Sequence, residues 1–324
     1  MSATRGTGID WRGEAGGRLA AQVLDRLKAG RPLTDLPVPR DGEGRADLRG
    51  FVFPPPRAVG RLGGRWGRGK LIEGTTELKK VTLRGLDLSG ASGPSLRLHG
   101  CELVDCVLDR ADLPDLRLWD TTVTDCSFAG AKLKDAAVGT WDRGRRNTWR
   151  RVSFTGADLR GAVAVGAVFE ECDFGRARLD GLHFEQCALD DCTFAGRMRE
   201  VVFDGRALPD RPAPQPLRRA DFSGAEFRDV EFWDCRVADV TLPGTPGLGF
   251  VPEYRATARR ALEVLADDPS REARMLVGEL TEALRGPGDD SAVGLFNRQD
   301  YVDAGGEALA ELAQRLLVPG VRLT

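Results

Sequence analysis

Seven cysteines and two histidines are the residues of this chain best suited to metal or covalent chemistry. A structural zinc site needs four clustered Cys or His ligands, usually announced by a Cys-x-x-Cys pair. Cys101, Cys106, Cys126, Cys172, Cys187, Cys192 and Cys235 form no such pair. They share a different regularity, because two residues after each comes Leu103, Leu108, Phe128, Phe174, Leu189, Phe194 or Val237. His99 and His183 each flank an apolar residue of the same series, so both are expected on the solvent side, without a nucleophile. The neighbouring carboxylates Glu170-Glu171 and Asp190-Asp191 would suit acid–base work in a cleft, but on a solvated face they are ordinary surface charge. The residue types therefore predict no catalytic group, no metal and no cofactor.

The elements that position these residues follow from a five-residue period. Apolar centres recur as Leu83, Leu88, Leu98, Leu103, Leu108, Leu113, Leu118, Val123, Phe128, Leu133 and Val138, with only Gly93 breaking the run. The period resumes at Phe154 and again at Phe222. Side chains repeat every 3.6 residues in a helix and every 2 in a strand, so a period of five requires a chain that turns a corner at each repeat. Two residues before each centre sits a small residue such as Ala111, Ala157, Ala220 or one of the cysteines. Two residues after it is often Gly or Asp, the residues a tight corner needs. Large centres and small residues point inward, and stacked coils share one core. An inward cysteine there is a small hydrophobe, and seven free thiols suit a reducing, cytoplasmic setting.

Ala111-Asp112-Leu113, Ala157-Asp158-Leu159 and Ala220-Asp221-Phe222 carry a resemblance to the pentapeptide-repeat family, over residues 77–245, with a stray match at Ala46-Asp47-Leu48-Arg49-Gly50. The resemblance implies a mainly β fold, a right-handed quadrilateral parallel β-helix. It also implies a non-enzymatic binding protein, since relatives of the quinolone-resistance type engage DNA gyrase, some by imitating duplex DNA with an acidic surface.

Outside the repeat, residues 1–76 read as an N-terminal helix near Glu14–Ala29 that packs on the solenoid end. A basic Gly-rich stretch from Arg57 to Lys70 follows and reads as a solvated linker. Residues 246–324 read as three helices, near 252–266, 268–286 and 304–317, which would cap the solenoid, dimerise or bind a partner. Two loops, 140–151 and 205–219, should project from the body, as two loops do in the quinolone-resistance relatives. The N-terminus lacks the apolar core of a signal peptide, and an excess of arginine over lysine suggests a GC-rich bacterial source. No apolar run is long enough to span a membrane.

Charge and aromatics supply the candidate binding residues. Net charge is −2, but residues 1–76 carry 14 basic and 8 acidic groups, a local +6. Between Glu102 and Asp125 seven acids face only Arg110 and Arg117, which nominates Asp105, Asp109, Asp115, Asp120 and Asp125 as an acidic face. The loop Trp141–Arg151 holds Arg143, Arg145, Arg146, Arg150 and Arg151 together with Trp141 and Trp149, and is expected to add no core residue. Trp119 and Trp233 each follow an inward centre and should point outward. Trp and Arg are enriched in binding hot spots. Together these fourteen residues predict a protein partner, most specifically a topoisomerase, with a general adaptor as the alternative. Direct nucleic-acid binding through the basic loops ranks last.

Overall fold

Five-residue periodicity becomes a four-sided coil. The computed structural model describes residues 9–62, 69–142, 144–208, 211, 215–286 and 288–319. The chain divides into two compact units, Met1–Arg178 and Leu179–Thr324, with the boundary inside the repeat run.

In the first unit successive pentads occupy successive faces, and each face returns after twenty residues. Leu83 pairs in parallel with Leu103, and Leu103 with Val123. Leu78 pairs with Leu98, and Leu98 with Leu118. Single bridges serve the other two faces, Asp87 to Val107 to Ser127 and Ser92 to Asp112 to Lys132. The corners set the period. From Gly85 to Asp135 every fifth residue has a φ between 49° and 66°. That left-handed region is costly for most side chains and least so for Gly, Asn and Asp, which is why Gly and Asp recur there.

The interior is apolar and close-packed. Phe128, Phe154 and Phe174 stack with ring centroids 5.7 and 5.0 Å apart. All seven cysteines are buried free thiols, and their position carries a polar duty that the small-hydrophobe reading omits. The backbone N–H at this inward site meets a side chain of the next coil: Cys106 N donates to Cys126 Sγ at 3.3 Å, and Cys101 N to Thr121 Oγ1 at 3.4 Å. The thiols in turn donate to carbonyls one coil back, Cys101 to Leu78 O and Cys106 to Leu83 O. Cysteine suits this place because it is small, apolar and able to accept and donate weakly.

The coil begins earlier than the sequence suggests. Ala46 pairs with Leu86 and Val52 bridges Ser92, so the stray match at 46–50 is a true coil segment, with Leu48 and Phe51 fully buried. Trp11 lies edge-on to Phe51 at 5.1 Å and donates to Arg49 O, joining the segment before α1 (Glu14–Lys28) to this coil. The basic Gly-rich stretch, expected as a linker, forms an antiparallel hairpin of Arg57–Leu62 with Gly69–Glu73; residues 63–68 lie outside the described residues.

The second unit repeats the coil with irregular spacing. Phe184 pairs with Phe203, one residue short of a full turn, and Asp190 pairs with Arg218, lengthened by the insertion near 205–216. Its helices are α2 (Tyr254–Leu265), α3 (Arg271–Ala283), α4 (Arg298–Gly305) and α5 (Glu307–Leu317). α5 takes the place of the last expected helix, near 304–317, while α4 ahead of it was not expected; Gly306, with φ 85°, separates the two. Ser270 caps α3 through Ala273 N, and Asn297 caps α4 through Gln299 N. Leu265, Leu276, Leu280, Leu309 and Leu317 bury the apolar helix faces against one another, with Phe296 from the strand before α4. No helix among the described residues is long and apolar enough to cross a membrane.

Candidate partner-binding surface

The arginine-rich loop is smaller and more firmly seated than its sequence suggests. The twenty-residue step of the coil lengthens to twenty-six, since Val123 pairs with Trp149. Only the insert near Trp141–Arg146 departs from the solenoid, as a short hairpin of Trp141-Asp142 with Arg145-Arg146. Trp149 is not a surface anchor. It is a fully buried centre, paired onward with Phe169, and its Nε1 donates to Val138 O at 2.8 Å. The sequence reading failed here because six inserted residues hid the return of the period.

Asn147 makes the insertion possible and was overlooked. It occupies the inward small position, fully buried. Its Oδ1 accepts from Thr121 N at 3.1 Å, and its Nδ2 donates to Leu118 O and Val138 O at 2.9 and 3.3 Å. The available signal was the ladder itself: Asn147 stands one lengthened coil beyond Thr121, as Thr121 stands one coil beyond Cys101.

The other loop residues fold back on the body. A Cβ on Gly166 would lie 2.4 Å from the Trp141 ring, so the indole rests directly on that corner glycine. The Arg146 guanidinium sits 5.3 Å from the Trp141 centroid and its Nε donates to Gly166 O. Arg145 pairs with Asp120, Arg150 with Glu170, and Arg151 with both oxygens of Asp125. Arg143 lies outside the described residues.

The acidic run is not one face. Asp105, Asp115, Asp120 and Asp125 are corner residues with positive φ, and consecutive corners turn to different sides of the coil. Only Asp105 and Asp125, twenty apart, share a corner. Each is held by an arginine: Asp105 by Arg45 at 2.7 Å, Asp115 by Arg97 and Arg117 at 2.7 Å each. Asp109 instead accepts from Ala129 N at 3.1 Å and from Ser127. These carboxylates therefore shape and close corners, and a contiguous DNA-like charge surface does not form from them.

This pairing carries a pH dependence. Burial would raise the Asp115 carboxyl, but hydrogen bonds from Arg97, Ser95 and Arg117 outweigh it and hold the group below its ordinary range. Hydrogen bonding to Arg151 lowers Asp125, and to Arg160 lowers Asp158. A depressed carboxyl contributes stability above its unfolded pKa of about 3.9 and loses it as pH falls through the folded value. The urea midpoint should thus be flat near neutrality and fall steeply below about pH 4. Asp300, pushed up to about 6 by burial, acts in the opposite sense between about pH 6 and 4, so a midpoint that holds or rises below about pH 4 would contradict the corner pairing.

Trp119 is where the expectation of an outward aromatic finds a usable surface. On one sheet face of the first unit the outward positions run Lys79, His99, Trp119, with Glu77, Arg97, Arg117, Ala137 and Val163 alongside. His99 stacks flat on Trp119, with centroids 4.3 Å apart and planes 6° from parallel. Val163 is 43% exposed, one of few large apolar side chains left in water among the described residues. On the strand between theirs, a Cβ at Gly139 would meet Val165 N at 2.6 Å, where the pairing with the next strand shifts register, so only glycine fits there. Arg97 and Arg117 turn aside to Asp115. His99 and Val163 were not among the nominated residues, although the twenty-residue spacing of His99 and Trp119 signals the stack. In the second unit Trp233 is framed by its own neighbours. Arg206 lies 4.6 Å over its ring, His183 meets it at 5.5 Å, and Nε1 donates to Glu231.

Comparison with known proteins agrees with this architecture. Residues 150–193 match the family model described as pentapeptide repeats (9 copies). Among solved structures, a trypsin-treated form of QnrB1, a plasmid-mediated fluoroquinolone resistance protein, is similar at 19% identity. The match covers 52% of this chain and 76% of that one, with a TM-score of 0.34. HetL, involved in heterocyst differentiation regulation in Nostoc sp. strain PCC 7120, is similar at 18% identity over 52% and 85%, with a TM-score of 0.21. Rfr23 from Cyanothece 51142 follows at 17% identity over 40% and 88%, with a TM-score of 0.18. No curated protein matches the sequence. Likenesses this distant carry no argument about partners. The repeat match at 150–193, the twenty-residue register and the left-handed corner every fifth residue show that the chain carries pentapeptide repeats wound as a four-sided β-coil.

Proposed function

We propose that this chain is a non-enzymatic protein-interaction solenoid. In its most specific form it binds a topoisomerase, DNA gyrase first, and protects against a gyrase-targeting compound. The observation that carries the interaction reading is the aromatic surface of the first unit, where the half-buried His99–Trp119 stack and exposed Val163 lie on one sheet. A large aromatic held in place loses little entropy on binding, and such residues dominate interface energies. The gyrase form rests on the family resemblance of the repeats. The corner pairing of Asp105, Asp115, Asp120 and Asp125 favours contact through the aromatic surface over imitation of DNA charge.

The alternative is an adaptor for another protein through the same surface. Nucleic-acid binding is disfavoured, because Arg145, Arg150 and Arg151 are already paired with carboxylates. A supercoiling assay with purified gyrase and a gyrase poison separates these forms. The gyrase form expects the chain to change the supercoiled yield in a dose-dependent way. An unchanged yield at saturating chain removes that form and leaves the adaptor.

A further inference from the structure

A cleft of about 270 Å³ opens in the first unit, between the end of α1 and the first coils of the solenoid. Its floor is apolar, with Leu27, Leu33, Leu83 and Leu86 each buried. Its rim holds three arginines, Arg31, Arg40 and Arg84, all of them exposed. No carboxylate lines it.

These arginines differ from others of the same unit. Arg45, Arg49, Arg97 and Arg117 each sit on an aspartate. Arg31 and Arg84 have no ion-pair partner among the described residues, and Arg40 donates to Gly44 O at 3.1 Å. The acids around the cleft are already engaged. Asp35 is held by Arg26 and Asp105 by Arg45, while Glu102, one coil beyond Thr82, accepts from Thr82 Oγ1 at 3.2 Å. The carbonyl end of α1 would repel an anion, but it is closed, because Gly30 N donates to Leu27 O and Arg31 N to Arg26 O. Three cations that the fold leaves unneutralised therefore ring one apolar floor.

We propose that this cleft binds a small organic phosphate, a phosphomonoester carried on an apolar or aromatic body. The body lies on the leucine floor, and the phosphate oxygens accept from the rim guanidiniums. A phosphomonoester carries close to two negative charges at neutral pH, which suits a rim of three cations better than a single carboxylate does. Arginine also donates in pairs to phosphate oxygens, through charge-assisted hydrogen bonds roughly twice as strong as neutral ones. The site is independent of the His99–Trp119 surface, so success or failure of the partner reading leaves it untouched.

Calorimetric titration of the full chain with phenyl phosphate tests the site, with phenol as the neutral body and inorganic phosphate as the bare anion. Saturable binding of phenyl phosphate is expected, with phenol and inorganic phosphate each weaker by about tenfold or more. Arg84→Gln should weaken phenyl phosphate by about tenfold, and Arg84→Glu should abolish its binding. Arg84 is exposed and unpaired, so both variants should keep the parent circular dichroism spectrum. Arg285→Gln, an equal change of charge in the second unit, should leave the affinity unchanged. Absence of saturable binding at millimolar phenyl phosphate, equal binding of phenol or of inorganic phosphate, or undiminished binding by Arg84→Gln would each overturn the proposal. An equal loss in Arg285→Gln would also overturn it, by showing attraction to net charge alone.

Discussion

Trp149→Ala should lower folding stability by about 3–5 kcal/mol, the range for truncating a large buried aromatic. The ring has no exposed area and contacts Phe128, Phe154 and Phe169 at centroid distances of 5.7, 5.2 and 6.3 Å. Its removal also withdraws the indole N–H from Val138 O. Urea unfolding followed by far-ultraviolet circular dichroism measures the loss. The same geometry separates two loop edits. Replacing 141–146 with a short Gly-Ser turn removes only the hairpin insert and should cost little, because loop closure depends weakly on length. Replacing 141–151 also removes Asn147 and Trp149, and should destabilise the chain at least as much as Trp149→Ala. Equal stability of the two edited chains would contradict the placement of Trp149 as a core centre.

The second large effect is expected at Asn147. Alanine has the size common at this inward position, as Ala167 one coil on shows, so volume alone predicts tolerance. Hydrogen bonding predicts otherwise. Leu118 O keeps a donor in Thr140 Oγ1, and Val138 O keeps Trp149 Nε1. Thr121 N loses its acceptor and is left buried. Together the orphaned N–H and the weakened carbonyls should cost about 2–4 kcal/mol. Asn147→Thr, which restores an acceptor as Thr121 does for Cys101, should recover part of it. An Asn147→Ala variant as stable as the parent would mean that these groups reach water.

Much of this structure was legible because each pentad is a local code. Leu83, Leu103 and Val123 announce one face, and Gly85, Gly90 and Gly100 announce corners, from residue type alone. Legibility failed where the code was interrupted without a change of composition. Trp149 looks like a loop residue beside four arginines, and only the Val123 pairing shows that the coil has resumed. Met198, Phe203 and Leu217 are buried centres that a strict count of five misses, because the second unit loses one residue and then gains an insertion. The acidic run misled for a different reason. Sequence displays charge but not direction, and a corner every fifth residue sends neighbouring aspartates to different sides. The His99–Trp119 surface was half visible, since outward tryptophan follows from phase while its stacking partner lies a full coil away in sequence.

The surface itself is the account's central claim, and Trp119 tests it with least disturbance to the fold. The Trp119 ring is half-buried on the outer side of the coil and closes no hydrogen bond of the coil among the described residues, so Trp119→Ala should leave the unfolding midpoint nearly unchanged. Binding of the purified chain to purified DNA gyrase, followed by biolayer interferometry, is the direct measurement. The account predicts saturable binding by the parent and a loss of about 2 kcal/mol or more, thirtyfold or so in affinity, for Trp119→Ala. Parent-like affinity in the folded Trp119→Ala variant would contradict the surface, and no binding by the parent would contradict the gyrase form of its function.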